Sequence, residues 1–278
     1  MGITLFTAAG CARCNIAKNF MRAKAIAFDE QDALGAGKEL FALFYRAHRG
    51  ALARGAEGIE FPIAVEGELI RQGVAAVIAR LQAADRLDGF FAPSGLSQGW
   101  VGGIRLSTGD PGRVEDLAAV LGFLKKSGLK LEIETDGRNA AVTEHLLRQG
   151  IGDRLVMDLK GPRALYVLLL GREIDLEEIA RSMVLATRFP EFRFETALAP
   201  VPSATGGLRY MAPEEVAEAA CWLKEATGSP RQPYFLRRFD SSAVAGERAA
   251  ALPALPPEAL FRYRSAARRH QVLAEIAK

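Results

Sequence analysis

An α/β protein in two domains is predicted by three features of the sequence. From Trp100 to Arg238, apolar strand-like runs alternate with segments of helical spacing, the pattern of a parallel sheet with helices between its strands. Ahead of Leu81, a separate order of strand, helix, strand, helix, hairpin and helix completes a smaller unit. Between them, residues 83–99 place Pro93, Ser94, Gly95 and Ser97 among charged side chains, as a linker does. The boundaries expected are 1–82, a linker over 83–99, 100–240, and a Pro-containing loop with a C-terminal helix over 241–278.

The first strand is Ile3-Thr4-Leu5-Phe6, and Gly10 permits the turn into a helix carrying Ile16, Ala17, Phe20 and Met21 at helical spacing. Cys11-Ala12-Arg13-Cys14 lies at that junction. Unpaired backbone N–H groups and the positive end of the helix dipole stabilise a thiolate there, and Arg13 adds a nearby cation. Cys11, nearer the N-terminus, is the expected nucleophile, and Cys14, one turn inside, the resolving thiol. The competing reading is half a zinc site. Zinc takes about four ligands, and the other candidates are Cys221, His48, His145 and His270, none in a second paired spacing. A redox dithiol with no metal is the reading that follows.

A second strand is expected over Ala25–Asp29, and Gly35–Gly58 carries a helix with Leu40, Phe41, Phe44 and Leu52 on its apolar face. Glu60-Phe61-Pro62-Ile63-Ala64-Val65 opens a hairpin that turns at Glu66-Gly67 and returns to Ile70, followed by a helix from Val74 to Leu81. On these pieces, residues 1–82 resemble the glutaredoxin family, which implies a thioredoxin-like fold with Cys11, Cys14, Arg13 and Pro62 at the catalytic site. In that family the proline opening the third strand is cis and faces the cysteines, and Pro62 matches it. The family's Cys-Pro-Tyr-Cys is Cys-Ala-Arg-Cys here. Its Gly-Gly-x-Asp-Asp type of glutathione-holding segment is replaced by Arg71–Ala76, so glutathione is not carried over as reductant.

In the second domain, strands are expected over Trp100–Ser107, Leu129–Thr135, Arg154–Leu159, Glu191–Leu198 and Pro233–Arg238. The helices between them span Val114–Ser127, Ala140–Gln149, Asp175–Phe189 and Pro213–Ala226. Cys221 is expected as a buried core thiol in the last of these. A closing helix over Glu258–Ala277 carries Leu260, Tyr263, Ala267, Val272 and Ile276 as one stripe, to dock on the domain and cover a sheet edge.

Gly102-Gly103 with Gly109-Asp110-Pro111, then Thr135-Asp136-Gly137, then Met157-Asp158-Leu159-Lys160, then Arg193-Phe194-Glu195, occur in the order of motifs in the radical S-adenosylmethionine (SAM) family. The branch resembled is the activating proteins of anaerobic ribonucleotide reductase. The resemblance implies a partial barrel with parallel strands, and ligand-facing charges at Asp110, Asp136, Asp158, Lys160, Arg193 and Glu195. The family's cluster is held by a C-x-x-x-C-x-x-C loop, and none occurs in this chain. Cluster chemistry therefore does not carry over; no cofactor is expected.

Net charge is +3, with 49% hydrophobic and 25% charged residues, which favours neither nucleic acid nor membrane as partner. The N-terminus lacks a signal-peptide layout and three cysteines make no disulfide framework, so a cytoplasmic setting is expected. The function expected is a thiol-disulfide oxidoreductase acting on a protein disulfide, with ribonucleotide reductase or another anaerobic redox enzyme as the partner implied by resemblance. The alternative is a redox-sensing binding module whose barrel pocket holds SAM, a nucleotide or a peptide.

Overall fold

Residues 2–55, 58–94, 99–170, 174–203, 206–239 and 255–277 are described in a computed structural model. Leu96 in the expected linker, and Asp240 to Pro253 in the expected loop, lie outside them. The chain divides into two compact units, one of residues 1–133 with 148–153 and one of 134–147 with 154–278.

The first unit opens with β1 (Ile3–Thr7), α1 (Ala12–Ala23), β2 (Phe28–Asp32) and α2 (Lys38–Ala47). The short strands β3 (Arg54–Gly55) and β4 (Gly58–Ile59), the hairpin β5 (Ile63–Glu66) and β6 (Leu69–Gln72), and α3 (Val74–Ala83) follow. The sheet order is β2-β1-β5-β6, with β1 parallel to β2 and antiparallel to β5, and β5 antiparallel to β6. The period-2 alternation of β1 sends neighbouring side chains to opposite faces. Leu5 joins Ala17, Met21, Ala64 and Val77 beneath α1 and α3, while Phe6 joins Leu52 and Ile63 beneath Phe41 and Phe44 of α2. Leu40 of the predicted apolar face is instead exposed. Strand β2 begins later than expected because Ile26 continues the helix cap, its N–H donating to Met21 O at 2.9 Å.

Beyond a 3₁₀ turn over Ala84–Leu87, the unit continues with β7 (Trp100–Arg105), α4 (Val114–Lys126) and β8 (Lys130–Thr135, but for its last two residues). The expected linker is packed: Leu87 and Phe90 are buried. Residues 90–92 lie antiparallel along β7, with Ala92 N–H donating to Gly103 O at 2.8 Å and Arg105 N–H to Phe90 O at 2.7 Å. This satisfies part of an edge that would otherwise be open for pairing. Phe20 of α1 meets Phe123 of α4 edge-on at 5.0 Å.

The second unit holds α5 (Ala140–Arg148, but for its last residue), β9 (Arg154–Asp158), α6 (Arg163–Leu170), α7 (Leu176–Ala186) and β10 (Glu191–Leu198). The hairpin β11 (Pro200–Pro202) and β12 (Leu208–Tyr210), then α8 (Pro213–Thr227), β13 (Tyr234–Arg238), α9 (Pro257–Ala267) and β14 (Glu275–Ile276) complete it. Strands β9, β10, β13 and β14 pair in parallel in the order β14-β13-β10-β9. Strand β14 is an addition to the five strands predicted.

Two expectations are corrected. The closing helix ends at Ala267 rather than Ala277, and the chain finishes as β14 beside β13. Buried Gln271 stops it: its Oε1 accepts Gln232 N–H at 2.9 Å, its Nε2 donates to Ser229 O at 3.0 Å, and Val272 N–H donates to Pro230 O at 2.8 Å. These partners outweigh the helical propensity of the Ala- and Arg-rich run, and Val272 of the predicted stripe is exposed. Cys221 is also no core thiol. It is half-buried, donating to Glu225 Oε1 at 3.5 Å, while Val216, Ala220 and Leu223 form the buried face of α8.

Candidate redox site and its surroundings

Strand β1 delivers the chain to the turn before α1, and Cys11 is the residue that caps this helix. Its Sγ accepts the Cys14 backbone N–H at 3.1 Å, while its carbonyl takes the Asn15 N–H at 3.2 Å. A sulfur thus occupies the position where Ser, Thr or Asp oxygens cap helices, satisfying one orphan donor of the first turn. Cys11 and Cys14 form a disulfide with Cα atoms 5.3 Å apart. Cys11 is partly exposed, whereas Cys14 is 1% exposed.

A cleft of about 380 Å³ opens beside Cys11, lined also by Ala9, Arg13, Ile16, Ile59, Glu60, Phe61 and Leu129. Arg13 does not stand alone: its Nη1 lies 3.3 Å from Glu60 Oε1, and its Nη2 donates to Trp100 O at 2.5 Å. Glu60 is the residue that sequence reasoning passed over. Its Oε2 accepts the Ser94 backbone N–H at 2.9 Å. Burial pushes its carboxyl above the ordinary carboxylate range, against the Ser94 N–H and the Arg13 charge, which pull it down. Gln72 fixes the approach to Glu60, bonding both backbone groups of Ala53 and reaching the Glu60 carbonyl. At Gly73, φ is +87° and a Cβ would stand 3.0 Å from Glu60 Oε1, so glycine makes room for the carboxylate. The signal available in the sequence was an acid two residues before Pro62 and a base inside the cysteine pair. The Phe61–Pro62 peptide is cis. Pro62 is buried and its carbonyl accepts Gly73 N–H at 2.9 Å, while Phe61 supplies the cleft wall.

The other charges singled out divide between the units. Asp110 lies in the first, exposed, where its Oδ1 accepts Gly112 N–H at 2.9 Å and caps a 3₁₀ turn. In the second, Asp158 and Glu195 are register partners on β9 and β10. The Tyr166 hydroxyl donates toward the carbonyls of Asp136 at 3.1 Å and Asp158 at 3.3 Å, joining these strand ends. Each carboxylate has a local cation: Arg138 on Asp136 at 2.7 Å, Lys160 on Asp158 at 2.5 Å, and Arg193 and Arg237 on Glu195 at 2.5 Å each. Arg138 and Arg237 were not anticipated. Burial raises the Tyr166 and Tyr234 hydroxyls well above their ordinary range, so both remain neutral. Among the described residues, no three His, Cys, Asp or Glu side chains group as a metal site. No helix among them is long and apolar enough to cross a membrane.

The chain is similar in fold to a domain of a pyruvate-formate lyase-activating enzyme from Bacteroides vulgatus. Sequence identity is 16%, the TM-score is 0.42, and the match covers 64% of this chain and all of that domain. No family model matches the chain, and no curated protein does. A likeness of this size assigns it neither an activity nor a ligand.

Proposed function

We propose that the protein is a glutaredoxin-like thiol-disulfide oxidoreductase whose working pair is Cys11 and Cys14. The observation that carries this reading is the cap: Cys11 Sγ accepts the Cys14 N–H at the start of α1. After reduction, the same donor and the positive helix end favour a thiolate there. Cys11 attacks the substrate disulfide, and buried Cys14 then attacks Cys11 Sγ to release the substrate thiol. The order β2-β1-β5-β6 supports the family resemblance. By resemblance alone, the partner is a protein disulfide of ribonucleotide reductase or another anaerobic redox enzyme, docked by the radical-SAM-like region over 100–240.

Reduction of insulin disulfides with dithiothreitol as electron source tests the proposal. The full chain should accelerate it, Cys11→Ser should abolish the acceleration, and Cys14→Ala should accumulate a mixed disulfide on Cys11. Equal rates with and without the protein would leave only a binding role for it.

A further inference from the structure

The cleft beside Cys11 is nearly neutral. Ala9, Ile16, Ile59, Phe61 and Leu129 give it apolar walls, and among its described lining residues the charged side chains are Arg13 and Glu60. These two are paired at 3.3 Å, their side chains only 13% and 10% exposed. A paired cation and anion present little net field to an incoming ligand. We propose that this cleft, taken as the substrate cleft of the oxidoreductase reading above, prefers disulfides on uncharged apolar groups, such as protein segments, over anionic ones, with Glu60 setting the preference. The pairing of Arg13 with Glu60 supplies the physical cause. Without Glu60, the Arg13 guanidinium that lines the cleft would lose its carboxylate partner and draw anionic groups more strongly. With Glu60 present, an anionic disulfide loses its hydration against apolar walls and gains no unopposed charge in return.

The chemistry is ordinary exchange. The Cys11 thiolate attacks one sulfur of R–S–S–R′, forming Cys11–S–S–R as R′S⁻ leaves and takes a proton from water. Cys14 loses its proton to solvent and attacks Cys11 Sγ; the Cys11–Cys14 bond forms, and RS⁻ leaves and is protonated. The substrate gains two electrons and two protons, and an external dithiol restores the enzyme.

Single-turnover reaction of the pre-reduced full chain with neutral dithiodipyridine and with dianionic dithiobis(nitrobenzoate), at low salt, tests the preference. Each rate is divided by that of a free cysteine peptide under the same conditions. The wild-type ratio should favour the neutral probe. Glu60→Gln should move the ratio toward the anionic probe by about three- to tenfold, the size expected for one charge a few ångströms away in a partly wet site. Arg13→Gln, which leaves the carboxylate, should move it the opposite way. A purely structural role for the pair would change both rates together and leave the ratio fixed. A wild-type ratio equal to that of the peptide, or no shift in a folded Glu60→Gln protein, overturns the preference. The oxidoreductase reading fails separately, if Cys11→Ser reacts with both probes as fast as wild type.

Discussion

Cys11 Sγ sits 3.1 Å from the backbone nitrogen of Cys14, so the two cysteines are unequal although they are joined in one disulfide. The sulfur that accepts the helix N–H is the more exposed, and the residue that donates it is 1% exposed. Opening the disulfide leaves Cys11 with the donor and Cys14 with the burial.

From that asymmetry, the Cys11 thiol is expected to titrate below the reference of about 8.5. Iodoacetamide at neutral pH should modify Cys11 before Cys14, as read by peptide mapping of the reduced protein. Modification of Cys14 first would reverse the assigned roles.

Gly103→Ala should destabilise the first unit. At this position φ is +68°, and a Cβ would fall 2.0 Å from the Ala92 carbonyl oxygen that residues 90–92 present to β7. Backbone strain plus a clash with main chain costs about 2 kcal/mol or more. Chemical denaturation of the variant should show it, with increased proteolysis at residues 90–92. An unchanged denaturation midpoint would mean that the edge pairing is dispensable.

Strands β9, β10 and β13 and helices α5, α7 and α8 were legible because period-2 and helical apolar patterns are local, whereas α6, the β11–β12 hairpin and β14 were not read. Arg154–Asp158 and Glu191–Leu198 fall within a residue of prediction. What escaped was set by partners far away in sequence. Gln271 ends α9 through contacts with residues 229 and 232, and no local propensity announces that. At the redox site, the cysteine spacing and Pro62 stood out in sequence. Glu60 did not, because its meaning comes from Arg13, Ser94 and Gly73, at separations that only folding closes. Arg13 shows the same limit: its charge was legible, and its neutralisation was not.

The cysteine inventory gives a prediction about iron. The chain has three cysteines, two of them Cys11 and Cys14 and the third, Cys221, on α8. A site-differentiated cluster needs three thiolates from one loop in the pattern that the resembled family uses, and that pattern does not occur. Protein purified without oxygen should therefore carry no stoichiometric [4Fe–4S] centre. Iron and labile sulfide near four per chain in a size-fractionated sample would refute this.

Glu60 makes the stability of the first unit depend on pH in a direction opposite to that of an ordinary paired carboxylate. Burial raises its folded pKa above the ordinary carboxylate range, outweighing the Ser94 N–H and Arg13. Between the unfolded and folded pKa values, the native state therefore holds more protons than the unfolded one. Stability falls as pH rises when the native state binds the extra proton, so the carboxyl's contribution is most favourable below the unfolded pKa and declines as pH climbs through the raised value. Glu60→Gln removes the titrating group while keeping an acceptor for the Ser94 N–H. Urea titrations followed by Trp100 fluorescence, with Trp222→Phe in both proteins, measure the difference. Wild type should lose stability relative to Glu60→Gln as pH is raised from about 4, near the unfolded carboxylate pKa, through the raised pKa, and the two should run parallel above it. Parallel curves across the whole range, or a wild type that gains on the variant as pH rises, would mean that the Arg13 pairing rather than burial governs this carboxyl.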